Sequence, residues 1–180
     1  MRVITGSARG RVLESPAGLD VRPTVDRVKE AVFSIIQFEI EGRSVLDLFA
    51  GSGQLGIEAL SRGAKKATFV DKERASIEVV TRNVAKTGFE HSSRIVCSDA
   101  VSFLMLTKDK YDIVFLDPPY NTGLLQETIP LAAKCMNPGG VIVCESPYGE
   151  ELPERAEENY SKFKTYKYGK TAITVYRYGD

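Results

Sequence analysis

Four consecutive residues, Asp117-Pro118-Pro119-Tyr120, hold the groups best placed to act on a ligand. They offer a carboxylate, backbone carbonyls held by two fixed φ angles, and an aromatic ring. Pro118 also biases Asp117 away from helical angles, so the apolar run before it must end in a stiff corner. Such a corner can accept hydrogen bonds from an N–H-bearing group and lay a flat face against a ring. Three further carboxylates close successive apolar runs: Asp47 in Val45-Leu-Asp, Asp71 after Val70, and Asp99 in Ser98-Asp-Ala100. Any one of them is more often a cap than a ligand. All three, with Asp117, describe a site.

Asp47 leads into Leu-Phe49-Ala-Gly51-Ser52-Gly53-Gln54-Leu-Gly56. Glycines here permit positive φ and close backbone approach. The match to G-x-G-x-x-G is literal and raises a dinucleotide site. Two features count against it. An acid inside the strand repels an entering pyrophosphate, and Phe49 and Ala50 lengthen the bend before the first glycine. An acid there suits a cationic ligand, or one that brings an amine. Asp71 then falls where a ribose diol would lie, and Asp99 falls near an adenine amine.

The elements that must position these groups alternate. Strands are expected at Val45–Phe49, Ala67–Val70, Arg94–Ser98, Ile113–Leu116 and Val141–Glu145. Helices are expected at Leu55–Ser61, Glu73–Lys86, Ala100–Leu106 and 124–136, the last broken at Asn137-Pro-Gly-Gly. Repeated strand–helix units predict an α/β fold with a parallel sheet and helices on both faces. Ligands of such sheets bind outside the carboxyl ends of the strands, where Asp47, Asp71, Asp99 and Asp117 fall.

Ahead of this lies an amphipathic helix, Arg27 to Phe38, with Thr24 as N-cap and Gly42 closing it. Residues 1–14 alternate around Gly6 and Gly10 and predict a small β-hairpin carrying Arg2, Arg9 and Arg11. Residues 15–23 read as a connector. Residues 150–158 are acidic and read as a solvated helix face. The last two strands, Phe163–Tyr168 and Ala172–Tyr178, form a basic hairpin turning at Tyr168-Gly-Lys170-Thr. The organisation expected is an arm, 1–20, on one domain, 21–180.

Bulk composition narrows the class. Lys+Arg and Asp+Glu are equal at 24 each, which excludes a chain-wide basic surface but not a local basic patch. Cys97, Cys135 and Cys144 have no Cys-x-x-Cys spacing and suit reduced, buried thiols. His91, the only histidine, sits in a polar loop, so neither a nucleophilic triad nor a zinc site fits; no metal is expected. The N-terminus is not signal-like and no apolar run is long enough to span a membrane, which makes the cytoplasm the expectation.

The combination of Asp47-Leu-Phe-Ala-Gly-Ser-Gly, Val70-Asp71, Ser98-Asp99-Ala100 and Asp117-Pro-Pro-Tyr120 resembles the class I S-adenosylmethionine-dependent methyltransferases, and the corner resembles their amino-methylating branch. The N-terminal blocks Met1-Arg-Val-Ile-x-Gly-x-x-Arg-Gly-Arg and Arg22-Pro-Thr-x-Asp-Arg-Val-Lys-Glu-Ala-Val-Phe-Ser narrow the likeness to the RsmD family, which methylates the N2 amine of one guanine in bacterial small-subunit ribosomal RNA. This implies a Rossmann-like fold: a mostly parallel seven-stranded sheet with an antiparallel C-terminal hairpin strand and the N-terminal hairpin. It implies S-adenosylmethionine held by Asp47, Phe49, Gly51, Ser52, Gly53, Asp71, Lys72, Asp99, Ala100 and Asp117. Catalysis would fall to Asp117, Pro118 and Tyr120. RNA would meet Arg2, Arg9, Arg11, Arg22, Thr24, Arg27, Pro119, Tyr120 and Lys170. Gln54 departs from the small residue usual at that place. The implied partner is small-subunit ribosomal RNA in an assembling or assembled particle, met by a monomer.

Two other readings share parts of this pattern. The corner serves equally an enzyme acting on adenine N6 or on a protein glutamine amide. A non-catalytic module binding S-adenosylmethionine and RNA would keep the cleft, but has no need of the Asp117-Pro-Pro-Tyr acceptors.

Overall fold

The computed structural model describes residues 1–17 and 23–179. Helix α1 spans Pro23–Ile35, followed by β1 Ser44–Asp47, α2 Gln54–Ser61, β2 Lys66–Asp71, α3 Arg74–Thr87, β3 Ser93–Cys97, α4 Ala100–Leu106, β4 Tyr111–Leu116 and α5 Leu124–Lys134. Four strands complete the chain: β5 Met136–Pro147, β6 Arg155–Glu157, β7 Tyr160–Tyr168 and β8 Thr171–Tyr178.

All eight strands form one sheet in the order β3-β2-β1-β4-β5-β8-β7-β6. The first five run parallel. The last three join antiparallel, with β8 inserted between β5 and β7. Strand order reverses between β1 and β4, which opens a crevice at their carboxyl ends. The register Asp47↔Phe115 puts Asp47 and Asp117 on the two sides of that crevice.

The apolar runs of β1, β4 and β5 are continuous because both faces of the sheet are covered. Val45, Ile113, Phe115, Val141 and Val143 pack under α1, α2 and α3. The alternate residues Leu46, Val114, Leu116, Ile142 and Cys144 pack under α4 and α5.

Six expectations change. Pro23 opens α1, so Thr24 lies inside the helix rather than capping it; Pro is preorganised for a first helical position. The helix stops at Ile35, and Phe38, 94% exposed, belongs to the turn beyond. The sequence Asn137-Pro-Gly-Gly does not interrupt secondary structure but bulges within β5, between Tyr111↔Met136 and Ile113↔Val141. Asn137 Nδ2 donates to Asp112 Oδ1 at 2.9 Å, and a Cβ on Gly140 would stand 2.7 Å from the Asp112 carbonyl oxygen. The acidic segment holds the short eighth strand β6, not a helix: Leu152 and Ala156 are buried, and Tyr176 donates to the Pro153 carbonyl at 2.6 Å.

The fifth change concerns residues 1–14, where the only antiparallel bridge among the described residues is Arg2↔Val12, flanked by Val3 N–H on the Arg11 carbonyl and Leu13 N–H on the Met1 carbonyl, each at 2.9 Å. The segment is also pinned to α2. Glu58, fully buried, accepts from the backbone N–H groups of Ile4 at 2.8 Å and Thr5 at 3.0 Å, and from Arg62 Nε at 2.9 Å. Ser61 Oγ donates to the Thr5 carbonyl and accepts from Ala8 N–H. Gly6, at φ +91°, lies so close that a Cβ would stand 1.7 Å from the Ser61 carbonyl oxygen. Among the cysteines, Cys135 and Cys144 are buried as expected, but Cys97 is exposed because its strand lies at the sheet edge.

Candidate active site

A cleft of about 610 Å³ opens at the carboxyl ends of β1, β2, β3, β4 and β5. Its volume is that of a site for one small organic molecule. The glycine loop forms one wall. Gly51, at φ +57°, turns its N–H onto Asp71 Oδ2 at 2.9 Å, and a Cβ there would meet nothing within 4 Å. Gly53 is also left-handed, at φ +80°, but its missing Cβ faces Val80 and Phe69, so it shapes the turn without lining the cleft. Gly56 sits against the sheet, where a Cβ would fall 2.3 Å from the Phe69 ring. The three glycines therefore serve an open wall, a turn and a close helix–strand contact.

The strand-end acids are each tied to the backbone. Asp47 Oδ2 accepts from Gly56 N–H at 3.0 Å, at the start of α2. Asp71 accepts from Gly51 N–H and from Glu73 N–H, one bond on each oxygen. Asp99 caps α4 by accepting from Ser102 N–H at 3.0 Å. Carboxylate oxygens have two acceptor positions each, so all three keep acceptor capacity toward the cleft. Burial pushes the Asp47 acid up to about 7. The hydrogen bond from Ser102 holds Asp99 below its ordinary range. Gln54 Oε1 also lines this wall, buried and without a hydrogen-bond partner in the protein.

On the far side stand Asp117, Pro118, Pro119 and Tyr120. The β4–β5 register Leu116↔Cys144 places Asp117 beside Glu145 at the end of the neighbouring strand. Burial, then Glu145, then Asp47 push the Asp117 acid well up, and burial pushes Glu145 up as well. Tyr120 Oη donates to Glu145 Oε1 at 3.1 Å. With its only proton so used, it accepts from Thr171 Oγ1 at 3.1 Å, at the start of β8. The ring is thus held between two strands while remaining 44% exposed. Burial raises the Tyr120 hydroxyl to about 12, so it stays a neutral donor.

Nine of the ten residues expected at a cofactor line the cleft: Asp47, Phe49, Gly51, Ser52, Asp71, Lys72, Asp99, Ala100 and Asp117. Arg2, Arg9, Arg11, Arg27 and Lys170 are exposed and do not line it. Arg22 lies outside the described residues, as does the side chain of Thr24. Glu145, which sequence patterns alone did not single out, joins the lining, and so does Lys29 from the charged block Arg22-Pro-Thr-x-Asp-Arg-Val-Lys. Lys29 is buried, its Nζ donating to the Arg2 carbonyl at 2.7 Å and standing 3.8 Å from Glu58. Burial lowers its ammonium pKa. Glu145 had one legible signal, an acid closing an apolar strand like the other four. Lys29 had none beyond its place in a charged first turn.

The whole chain has relatives. A family profile described as "Conserved hypothetical protein 95" matches residues 1–177. Ribosomal RNA small subunit methyltransferase D of Escherichia coli K12 is 39% identical over 181 residues, covering 98% of this chain and 89% of that protein. The chain belongs to the RsmD family. A solved Escherichia coli structure, yhhF, matches the RsmD-family chain with a TM-score of 0.85 at 38% identity, covering 99% of this chain and 97% of that one. The fold is that of the class I S-adenosylmethionine-dependent methyltransferases. A Thermus thermophilus 16S rRNA N2 G1207 methyltransferase, RsmC, solved with AdoMet and guanosine, shares it at a TM-score of 0.72 and 22% identity, over 91% of this chain and 45% of that one.

The RsmD-family cleft suits a cationic cofactor on its own chemistry. Three acids on one wall, the Asp117–Glu145 pair on the other and an orphaned Gln54 acceptor all favour a ligand that brings positive charge and N–H donors. Among the described residues no helix is long and apolar enough to cross a membrane, and no cluster of metal-ligating side chains occurs.

Proposed function

We propose that this chain transfers a methyl group from S-adenosylmethionine to the exocyclic N2 amine of a guanine in small-subunit ribosomal RNA. The observation that carries this reading is the position of Asp117-Pro118-Pro119-Tyr120 across one cleft from the acid-lined glycine loop. Membership of the RsmD family supports the choice of base and of RNA.

Asp47 and Gln54 would hold the amino-acid end of S-adenosylmethionine, Asp71 the ribose hydroxyls, and Asp99 with Ala100 the adenine. When bound, the cofactor supplies a methyl carbon made electrophilic by its sulfonium. The rest is the work of the corner. A guanine N2 lone pair is delocalised into the ring and is a poor nucleophile. The Asp117 carboxylate and the Pro118 carbonyl accept its two hydrogens and draw the nitrogen toward sp³ geometry. Asp117 stabilises the positive charge that develops on nitrogen and takes the proton. Tyr120, fixed by Glu145 and Thr171, stacks on the unstacked base and offsets part of the cost of extruding it.

Residues 1–20 act as an arm on the methyltransferase unit 21–180, with Arg2, Arg9 and Arg11 gripping RNA backbone and Lys170 doing so from the other side. The substrate is a partly or fully assembled subunit in the cytoplasm, met by a monomer. A structured particle suits a protein with zero net charge and short basic segments.

The test offers labelled S-adenosylmethionine with unmethylated small-subunit RNA, assembled subunits, DNA and bulk protein, and identifies the product. N2-methylguanosine is expected. Label in N6-methyladenine or in protein would overturn the base assignment.

A further inference from the structure

Outside the cleft lining, a second aromatic group is tied through the backbone to the residue that holds Tyr120. Thr171, which holds Tyr120, follows Lys170 in the β7–β8 turn, and the Lys170 carbonyl accepts from Tyr148 N–H at 2.8 Å. Tyr148 stands just past the end of β5, in a turn closed by Glu150 N–H on the Pro147 carbonyl. Pro147 pairs with Thr171 in the sheet, so Tyr148 follows directly on the strand end opposite the residue that holds Tyr120. Lys167 Nζ lies 4.2 Å from the centroid of the Tyr148 ring. Tyr148 is nonetheless 54% exposed, and Lys167 and Lys170 are both exposed. An aromatic ring with a cation on it, left open to solvent, has no part in either core cluster.

We propose that Tyr148, with Lys167 and Lys170, forms a second stacking platform that takes the single-stranded RNA nucleotide next to the extruded guanine. This rests on the reading of the cleft as an RNA guanine methyltransferase site. The chemistry matches: a ring accepts any base by its π-face, and the Lys167 ammonium on it, with the exposed Lys170 in the adjoining turn, suits the phosphates on either side of that base. Glu150, two residues further along the chain, is engaged by Gln126 Nε2 at 3.1 Å. Continuity matters as much as charge. A base drawn into the cleft forces its neighbours out of the helical stack at the rim, where Tyr148 lies. The platform therefore recovers stacking that extrusion costs, and does so without reading the identity of the neighbouring base.

The experiment uses the full chain with S-adenosylhomocysteine and with the ribosomal RNA substrate accepted by the wild type. Tyr148→Ala should raise KM for RNA roughly tenfold, leave kcat within about twofold, and leave S-adenosylhomocysteine affinity unchanged. Tyr148→Phe should restore KM, because it keeps the ring. Lys167→Ala with Lys170→Ala should reduce the slope of log(kcat/KM) against log salt by about 1 to 2. Wild-type KM and salt slope in Tyr148→Ala and in the double lysine variant would overturn the platform while leaving the methylation reading intact. Failure of the wild type to methylate any RNA, with the cofactor product still bound, would instead overturn the function on which the platform rests.

Discussion

Tyr120 donates its hydroxyl proton to Glu145 Oε1 at 3.1 Å, and Glu145 stands beside Asp117 in the parallel register of β4 and β5. One carboxylate therefore does two things: it fixes the stacking ring, and it raises the acid of its neighbour by adding negative charge to a buried place. Glu145→Gln separates the two. Glutamine keeps an acceptor for Tyr120 but removes the charge. The reaction needs Asp117 ionised, so the rate rises with pH through the Asp117 pKa. With Glu145 neutralised that pKa falls, and the acidic limb of the kcat profile should move to lower pH. Glu145→Ala should also raise KM for RNA, since the ring loses an anchor. An acidic limb unmoved in Glu145→Gln would refute the coupling.

Asp117 is the acceptor that the corner exists to present. Asp117→Ala should keep S-adenosylhomocysteine affinity and lower kcat by roughly 10² to 10⁴. A variant with near-normal kcat would remove Asp117 from the mechanism.

Asp47 links cofactor binding to pH. Burial raises its folded pKa from 3.8 to about 7, so between those values the folded protein holds a proton that the unfolded chain has released. Stability of the ligand-free protein should therefore fall as pH rises through that window. The α-ammonium of S-adenosylhomocysteine needs the carboxylate, so its affinity should rise as pH approaches about 7 and then level off. Asp47→Asn keeps an acceptor for Gly56 N–H and removes the buried charge. It should raise the thermal stability of the ligand-free protein at pH 8 by about 1 to 3 kcal/mol and weaken ligand binding. Calorimetric titration and thermal melts across pH read both effects, and a destabilised variant at pH 8 would contradict the assignment.

Glu58 pins the N-terminal segment to α2 through Ile4, Thr5 and Arg62 and faces the Lys29 ammonium at 3.8 Å. Glu58→Ala leaves two backbone donors without partners and strips the counter-charge from the buried Lys29, which keeps only the Arg2 carbonyl. The expected loss is about 3 to 5 kcal/mol. Limited proteolysis should then cut within residues 1–14 before it cuts the sheet. Equal protection of both in the variant would show that the staple is dispensable.

The arm should also be felt by RNA. Replacing Arg9 and Arg11 with alanine should raise KM for RNA and lower the salt slope by about 1 to 2, with cofactor binding untouched. An unchanged slope would remove the arm from the interface.

The strand ends were legible because their signal is local. An apolar run closed by an acid or by Asp-Pro-Pro specifies both the strand and the group at its edge, so the immediate neighbours of Asp47, Asp71, Asp99 and Asp117 in the chain suffice to place all four on one rim. Alternation of helix and strand gave the parallel half of the sheet for the same reason. What failed was set by partners far away in the chain. Residues 155–157 are a strand because β7 pairs with them, whatever their acidity suggests. Asn137-Pro-Gly-Gly stays within β5 because Asp112 receives it. The N-terminal segment pairs with itself only around Arg2↔Val12, and what anchors it is Glu58 and Ser61, more than fifty residues on. Glu145 escaped notice, and Lys29 was legible only as one of several charges at the mouth of α1, because a buried charge on a helix or strand looks like a solvated one until its neighbours are known.

The insertion of β8 between β5 and β7 also fixes when the protein becomes competent. Chains are made from the N-terminus, and β8 emerges after the other seven described strands. Until then β5 has no partner on one side, and the apolar row Val141–Cys144 is an open sheet edge, the kind on which aggregation starts. Thr171, which steadies Tyr120, arrives with that same strand. Sealing the vulnerable edge and finishing the cleft are one folding event, so a nascent chain lacking its C-terminus has neither a protected sheet nor a complete site.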